Sequence, residues 1–156
     1  MMLVILAAWT VATQAPDSVA HARLRDAMLA LTDSLNALAG ASAAFTRDLD
    51  RSSRQSVLTR GGEVRARCTS ARAAVDDVHR VYTAHAAVVA QDRGMPEYRR
   101  ELGQLGAELA RCEREWQTPY AAAAADSLRS WGPHRLTLLD AAMRRYTAAE
   151  IGRAHV

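Results

Sequence analysis

Lysine is absent from the 156-residue chain, and all 20 basic residues are arginines. GC-rich codon usage accounts for that bias. The arginines alternate with acids, as in "RDLDRSSR" and "RCERE". Such mixing describes solvated helix faces and excludes the one-sided basic stripe of a nucleic-acid binder. Phenylalanine occurs once and β-branched runs are short, which excludes a β-rich core. Ala, Leu, Arg and Glu are left to set the fold, and they favour helix. No apolar run reaches the roughly 20 residues that a bilayer-spanning helix needs. The chain has no G-x-S-x-G, no Gly-rich phosphate loop and no metal-protease motif, so no catalytic motif is found and the expectation is a non-enzyme. Its two cysteines are not in a C-x-x-C arrangement, which removes the usual redox-active dithiol.

What is present begins with Leu3 to Ala12, an apolar run of about ten residues that suits the h-region of a signal peptide. A polar stretch with Pro16 and Asp17 follows, then Ala20-His21-Ala22, the small-x-small pattern a signal peptidase accepts. The expectation is a cleaved signal over residues 1–22, with Arg23 as the mature start. A second site, Thr13-Gln14-Ala15, has Pro16 directly after it. No basic residue precedes the apolar run, so a retained N-terminal membrane tether is the alternative. The remainder, residues 23–156, is long enough for one domain with its own core. It carries 20 basic and 16 acidic residues, a net charge of +4. An exported chain of this kind is periplasmic or secreted, with no transmembrane span after cleavage.

Within the mature part, apolar and small residues recur at alternating steps of four and three. Leu24, Met28, Leu31, Leu35, Leu38, Ser42, Phe45, Leu49, Ser52 and Ser56 form one seam. Val64, Cys68, Ala71, Val75, Val78, Tyr82, His85 and Val89 form a second, and Tyr98, Leu102, Leu105, Leu109, Cys112 and Trp116 a third. A repeat of about 3.5 residues keeps one face turned toward partner helices, as in coiled coils and antiparallel bundles. Gly61-Gly62, Gly94 with Pro96, Pro119 and Gly132-Pro133 read as the breaks. Gly40 interrupts no phase and stays inside the first helix. The expected fold is all-α: an antiparallel bundle of three long helices with one or two shorter C-terminal helices, stapled by a disulfide. The helices fall at about 23–59, 63–91, 96–118, 120–131 and 134–151, with fraying from about Gly152.

Facing positions of an antiparallel hairpin have residue numbers with a constant total. Cys68 with Cys112, Val64 with Trp116, Ala71 with Leu109, Val75 with Leu105, Val78 with Leu102 and Tyr82 with Tyr98 all share one total. Pairing the cysteines therefore brings two entire seams into register, and an exported chain with an even cysteine count favours a disulfide. The same symmetry makes the second helix overrun the start of the third, so the connection has to double back. Between the first two helices the seams pair Phe45 with Val78 and Leu49 with Val75, and bring Ser42 near Tyr82.

Several residues are candidates for chemistry. His85 lies on the second seam with Met95 opposite, and a His/Met pair suits copper or a haem iron; a hydrogen-bonded structural histidine is the plainer reading. Asp76-x-x-His79 is half of a di-iron motif whose second copy is absent. Glu108, Glu113 and Glu115 alternate with Arg111 and Arg114 and read as surface ion pairs. Trp116 extends the third seam, whereas Trp131 serves either as a core plug or as a partner contact. Leu136, Leu139, Met143 and Tyr146 form an apolar stripe that suits a helix folded back onto the bundle. "RLRDAMLALTDSLNAL" resembles the first helix of the cytochrome b562 and cytochrome c′ bundles, and in the former a Met placed like Met28 is an axial haem ligand. The resemblance makes Met28 a weak cofactor candidate. It stops there, because C-x-x-C-H is absent and "EREWQTPY" stands where the later His ligand would be, so the chain is not assigned to that family.

No cofactor or metal is assigned. The function expected by elimination is a non-enzymatic interaction or assembly protein of the cell envelope, bound to another envelope protein. A ligand-binding bundle for a haem, metal or small apolar molecule is the alternative. Weak binding to anionic envelope polymers is the third reading.

Overall fold

The computed structural model describes residues 16–117 and 120–154. They form α1 (Pro16–Asp48), α2 (Arg54–Ala84), a single-turn α3 (Ala86–Val89), α4 (Met95–Glu115) and α5 (Ala121–Ala154). No strand occurs among the described residues. The four long helices run alternately up and down. The expected class, an all-α antiparallel bundle with a Cys68–Cys112 disulfide, is what the chain forms.

The disulfide joins α2 to α4 with a Cα–Cα distance of 6.2 Å. Neighbouring contacts follow the register it sets. The Arg99 guanidinium lies 4.3 Å from the centre of the Tyr82 ring. A methyl group on Gly106 would stand 3.2 Å from Val75. The seam residues Val64, Cys68, Ala71, Val75 and Val78 of α2 and Tyr98, Leu102, Leu105 and Leu109 of α4 are all buried.

The connection between α2 and α4 doubles back more economically than expected. α2 stops at Ala84 instead of near residue 91, because His85 leaves the helical conformation (φ −123°, ψ 20°). The His85 amide still donates to the Val81 and Tyr82 carbonyls, and its own carbonyl accepts from Val88 and Val89 to start α3. Gly94 then turns the chain into α4 with φ 79°, a left-handed conformation that glycine adopts without strain. Pro96 follows in the first turn of α4, where its missing N–H costs nothing.

The first hairpin departs from the sequence reading. α1 ends at Asp48, and the break falls at residues 49–53 instead of Gly61-Gly62. Ser53 caps α2, its hydroxyl accepting from the Ser56 amide at 3.2 Å. Ser52 and Ser56 are therefore turn and cap residues, not small seam residues. Gly61 is a buried position of α2, in step with Val57, Val64 and Cys68. Moving the break shifts the register of α1 on α2. Phe45 meets the Trp116 ring edge-on at 5.0 Å, not Val78, and Ser42 lines a groove against α5 instead of facing Tyr82.

Residues 121–154 also form one helix through Gly132-Pro133, not two pieces. Helical packing on both sides overrides the single hydrogen bond that Pro133 cannot donate. Gly132 is pressed against the Phe45 ring, and a Cβ there would lie 3.1 Å from it. The expected fraying from Gly152 does not reach Arg153, whose side chain is four-fifths covered and docked across the bundle end.

α1 starts at Pro16, so the helix runs across the expected cleavage point between Ala22 and Arg23. Ala20 is buried and His21 bonds to Asp92, so a chain starting at Arg23 lacks both contacts. The apolar run Leu3–Ala12 and the terminal His155 lie outside the described residues. No described helix is long and apolar enough to cross a membrane.

Two stability outcomes follow from these contacts. The disulfide closes a loop with a sequence separation of 44 residues. Reduction is expected to lower unfolding stability by up to about 4 kcal/mol on the chain-entropy model, read from urea titrations with and without a phosphine reductant. The adjacent glycines should respond oppositely to alanine. A Cβ on Gly62 meets nothing within 4 Å, whereas one on Gly61 would stand 2.7 Å from a Leu128 methyl. Gly62→Ala should therefore stabilise by about 0.5–1 kcal/mol. Gly61→Ala should fall below Gly62→Ala by about 1–3 kcal/mol through overpacking. Thermal melts of the two variants measure both.

Candidate functional site

Three features stand apart from ordinary core packing: a polar cluster at one end of the bundle, an aromatic corner at the other, and an open groove between α1 and α5.

The polar cluster forms where the start of α1, the loop before α4 and the end of α5 meet. Arg153 is at its centre. One Nη donates to the Met28 Sδ at 3.2 Å, the other lies 3.9 Å from the Asp92 carboxylate, and the guanidinium stands 5.6 Å from the centre of the Tyr98 ring. Beneath it the Tyr98 and Tyr146 hydroxyls share a buried hydrogen bond of 3.1 Å. Burial pushes the Tyr98 phenol up to about 12 and the Tyr146 phenol higher still, so both hydroxyls stay neutral at any physiological pH. Burial likewise raises Glu150, with Arg153 opposing. Glu101 is the buried charged residue of α4. Its Oε1 accepts from Arg100 at 2.9 Å and Arg145 stands 3.6 Å from Oε2, so the carboxylate is held between two cations.

The sequence candidates scatter over this end. Met28 and Met95 are both buried, and the Met28 sulfur already faces the Arg153 cation. A metal placed there would meet a positive charge at hydrogen-bond distance. His85 serves the backbone at the α2–α3 kink. Among the described residues no group of three or more His, Cys, Asp or Glu side chains converges as a metal site. The charged residues of α4 engage as surface ion pairs: Glu108 with Arg111, Glu113 with Arg72, and Glu115 with Arg135. The Arg72 hydrogen bond holds the Glu113 carboxyl below the usual carboxylate range.

At the opposite end Trp116 is the hub. It meets Phe45 of α1 at 5.0 Å with an interplanar angle of 71°, and Trp131 of α5 at 5.4 Å and 87°. Both are edge-to-face contacts, the favoured aromatic geometry. Trp131 is thus a half-buried plug whose outer side also borders a shallow cleft with Tyr120.

The groove follows from how α1 is held. α1 lies along α2, and it meets α5 where Phe45 packs on Gly132 and where the Met28 sulfur accepts from Arg153. Between them runs a groove of about 580 Å³, with Ala39, Ala43 and Thr46 on one wall and Pro133, Leu136 and Met143 on the other. The Ser42 hydroxyl faces into this region, buried and without a hydrogen-bond partner. Leu29 and Ile151, two of the large apolar side chains left exposed, continue the same two helix faces. Leu29 precedes Ala43 by about four helical turns, and Ile151 follows Asp140 by about three.

The groove, Arg153 and Glu101 were not among the candidates that the sequence singled out. Arg153 sat in a segment expected to fray. Glu101 adjoins the seam residue Leu102, where only a second buried face of α4, turned toward α5, accounts for it.

Comparison of the chain with protein-family models, with curated proteins and with solved structures finds no match.

His21 gives this end of the bundle a pH response. Its ring bonds to the Asp17 carbonyl at 2.7 Å and to Asp92 at 3.2 Å, and these two contacts, in that order, raise its pKa above the ordinary value. A raised folded-state value means that the tether contributes fully below the unfolded value of about 6.5 and fades as pH rises through the folded one. An NMR titration of the His21 ring should show a midpoint above about 6.5, and Asp92→Asn should bring it down.

Proposed function

We propose that this chain is an exported, non-enzymatic helical bundle of the cell envelope that docks another envelope protein along its α1/α5 face. The open groove between α1 and α5 carries this reading. Its walls are small on α1 and apolar on α5, the combination that accepts an amphipathic helix laid lengthwise. Exposed Leu29 and Ile151 lie further along the same two helices. Export is supported by the core disulfide, since such bonds persist in oxidising compartments. The partner on this reading is itself exported and contributes a helix with an apolar stripe. It is not an anionic polymer, because the Asp140–Arg144 ion pair and Arg47 leave this face mixed in charge.

Site-specific photocrosslinking in cells that export the chain tests the proposal. A benzophenone side chain at Ala43 or at Thr137 should capture the same exported protein. One at Gln104, exposed on α4 away from the groove, should not. Ala43→Arg should abolish capture from Thr137. No discrete product, or equal products from all three positions, would overturn the reading.

A further inference from the structure

The turns that join the long helices are not alike. The α2–α4 connection bends through Gly94 at φ 79°, and the Cys68–Cys112 bond ties its two helices together. The α4–α5 connection contains Pro119, which an unbroken helix resists. The α1–α2 turn, residues 49–53, has neither glycine nor proline and no positive φ.

The residues of that turn suit a helix. Leu49, Ser52 and Ser56 carry the four-and-three spacing of α1 straight through it, so the sequence reads as one helix to about residue 59. Ser53 leaves the helical region through ψ alone. It stands at φ −59° and ψ 160°, and that φ is already helical. What keeps the turn closed lies on the surface. The Ser53 hydroxyl accepts from the Ser56 amide, Arg129 donates to the Ser52 carbonyl at 2.6 Å, and Arg54 pairs with Asp126. Exposed contacts of this kind contribute little each.

α1 has no covalent tie to the disulfide-bonded core except through this turn. Its contacts can be made equally well by α1 of another copy. They include Asp48 with Arg60, Phe45 with Trp116 and Gly132, Met28 with Arg153, and His21 with Asp92.

We infer that two copies of this chain exchange α1. The turn straightens, α1 and α2 run on as one helix, and each α1 lies antiparallel on α2 of the other copy. The two long helices cross near Ser52, Ser53 and Ser56, where short side chains let them approach. The exchanged pair rebuilds the α1 interfaces of the single chain and gains the helical hydrogen bonds that the turn forgoes. The entropy of association opposes it, so it forms at high concentration. The α1/α5 groove survives, built from two chains, and the docking proposed above stands or falls separately.

Arg54 supplies the test, because proline fits there in one form only. In the single chain residue 54 is the first of α2, where proline is tolerated, and Ser53 already has the extended ψ that precedes a proline. In the exchanged pair residue 54 lies inside a helix, which proline breaks. The oxidised full chain is refolded from urea at micromolar and at millimolar concentration and sized by chromatography with light scattering. The expected result is a dimer that appears only at the higher concentration. Arg54→Pro should weaken dimerisation at least about hundredfold. Arg54→Ala, which removes the same charge, should leave the dimer in place. A Gly-Ser-Gly-Ser insertion after Ser52 relaxes the turn, penalises the long helix and should also favour the single chain. A benzophenone at Gly40 shows which chain supplies α1. Gly40 is an open position of α1 that shares a groove with Ala66, Arg67 and Ser70 of α2. Its photoproduct should have the mass of two chains in the dimer fraction and of one chain in the monomer fraction. Absence of a dimer at millimolar concentration overturns the inference. So does a dimer that persists in both the Arg54→Pro and the insertion variants, or one whose Gly40 product keeps the mass of a single chain.

Discussion

The constraint on which the rest of the bundle depends is the register of α2 against α4, pinned by Cys68–Cys112. Leucine and valine recur at like spacing along the core seams, with Ala20, Ala71, Ala125 and Ala142 among them. Faces that repeat so evenly can be offset by a turn and still meet apolar against apolar. A covalent bond in the middle of the seam removes that freedom. It sets Tyr82 beside Arg99 at one end and Gly61 beside Trp116 at the other. Both ends of the molecule are then built on positions that the bond has fixed.

What α5 does follows from those positions. At one end it lays Leu128 into the space that Gly61 leaves, and Trp131 against the Trp116 edge. At the other it offers Tyr146 to Tyr98, Arg145 to Glu101 and Arg153 to Met28 and Asp92. The contacts differ in kind. The aromatic corner is apolar and closes by shape, while the far end closes through hydrogen bonds and paired charges that burial makes directional. The two together fix how far along the bundle α5 lies, and they hold one unbroken helix of 34 residues through Pro133.

The α2/α4 seam was legible in the sequence, because a 3.5-residue repeat and two cysteines at matching positions give the same answer. Gly94 with Pro96 was legible too, as a turn whose residues demand it. The first hairpin was not. Gly61-Gly62 looks like a break by local propensity, yet Leu128, 67 positions later in the chain, makes a side chain at Gly61 impossible. Tertiary packing overrode propensity there, and a Ser-rich stretch at seam spacing hid the real N-cap at Ser53. The functional features were the least legible of all. A groove exists where two helices fail to touch. It leaves no motif in the linear order of residues, whereas Met28, His85 and Met95 drew notice by type; Met28 and Met95 lie in the core and His85 at the α2–α3 kink.

The α1/α5 groove arises from one asymmetry. α1 lies along α2, and it meets α5 at Phe45 and at Met28. The small residues Ala39, Ser42 and Ala43 between those points are too short to reach Leu136 and Met143 across the gap. Bulkier residues there would have closed the groove and sealed α5 onto α1. There the chain forgoes burial that larger residues would supply, and leaves the Ser42 hydroxyl without a partner. A fold selected for stability alone gains from filling such a gap.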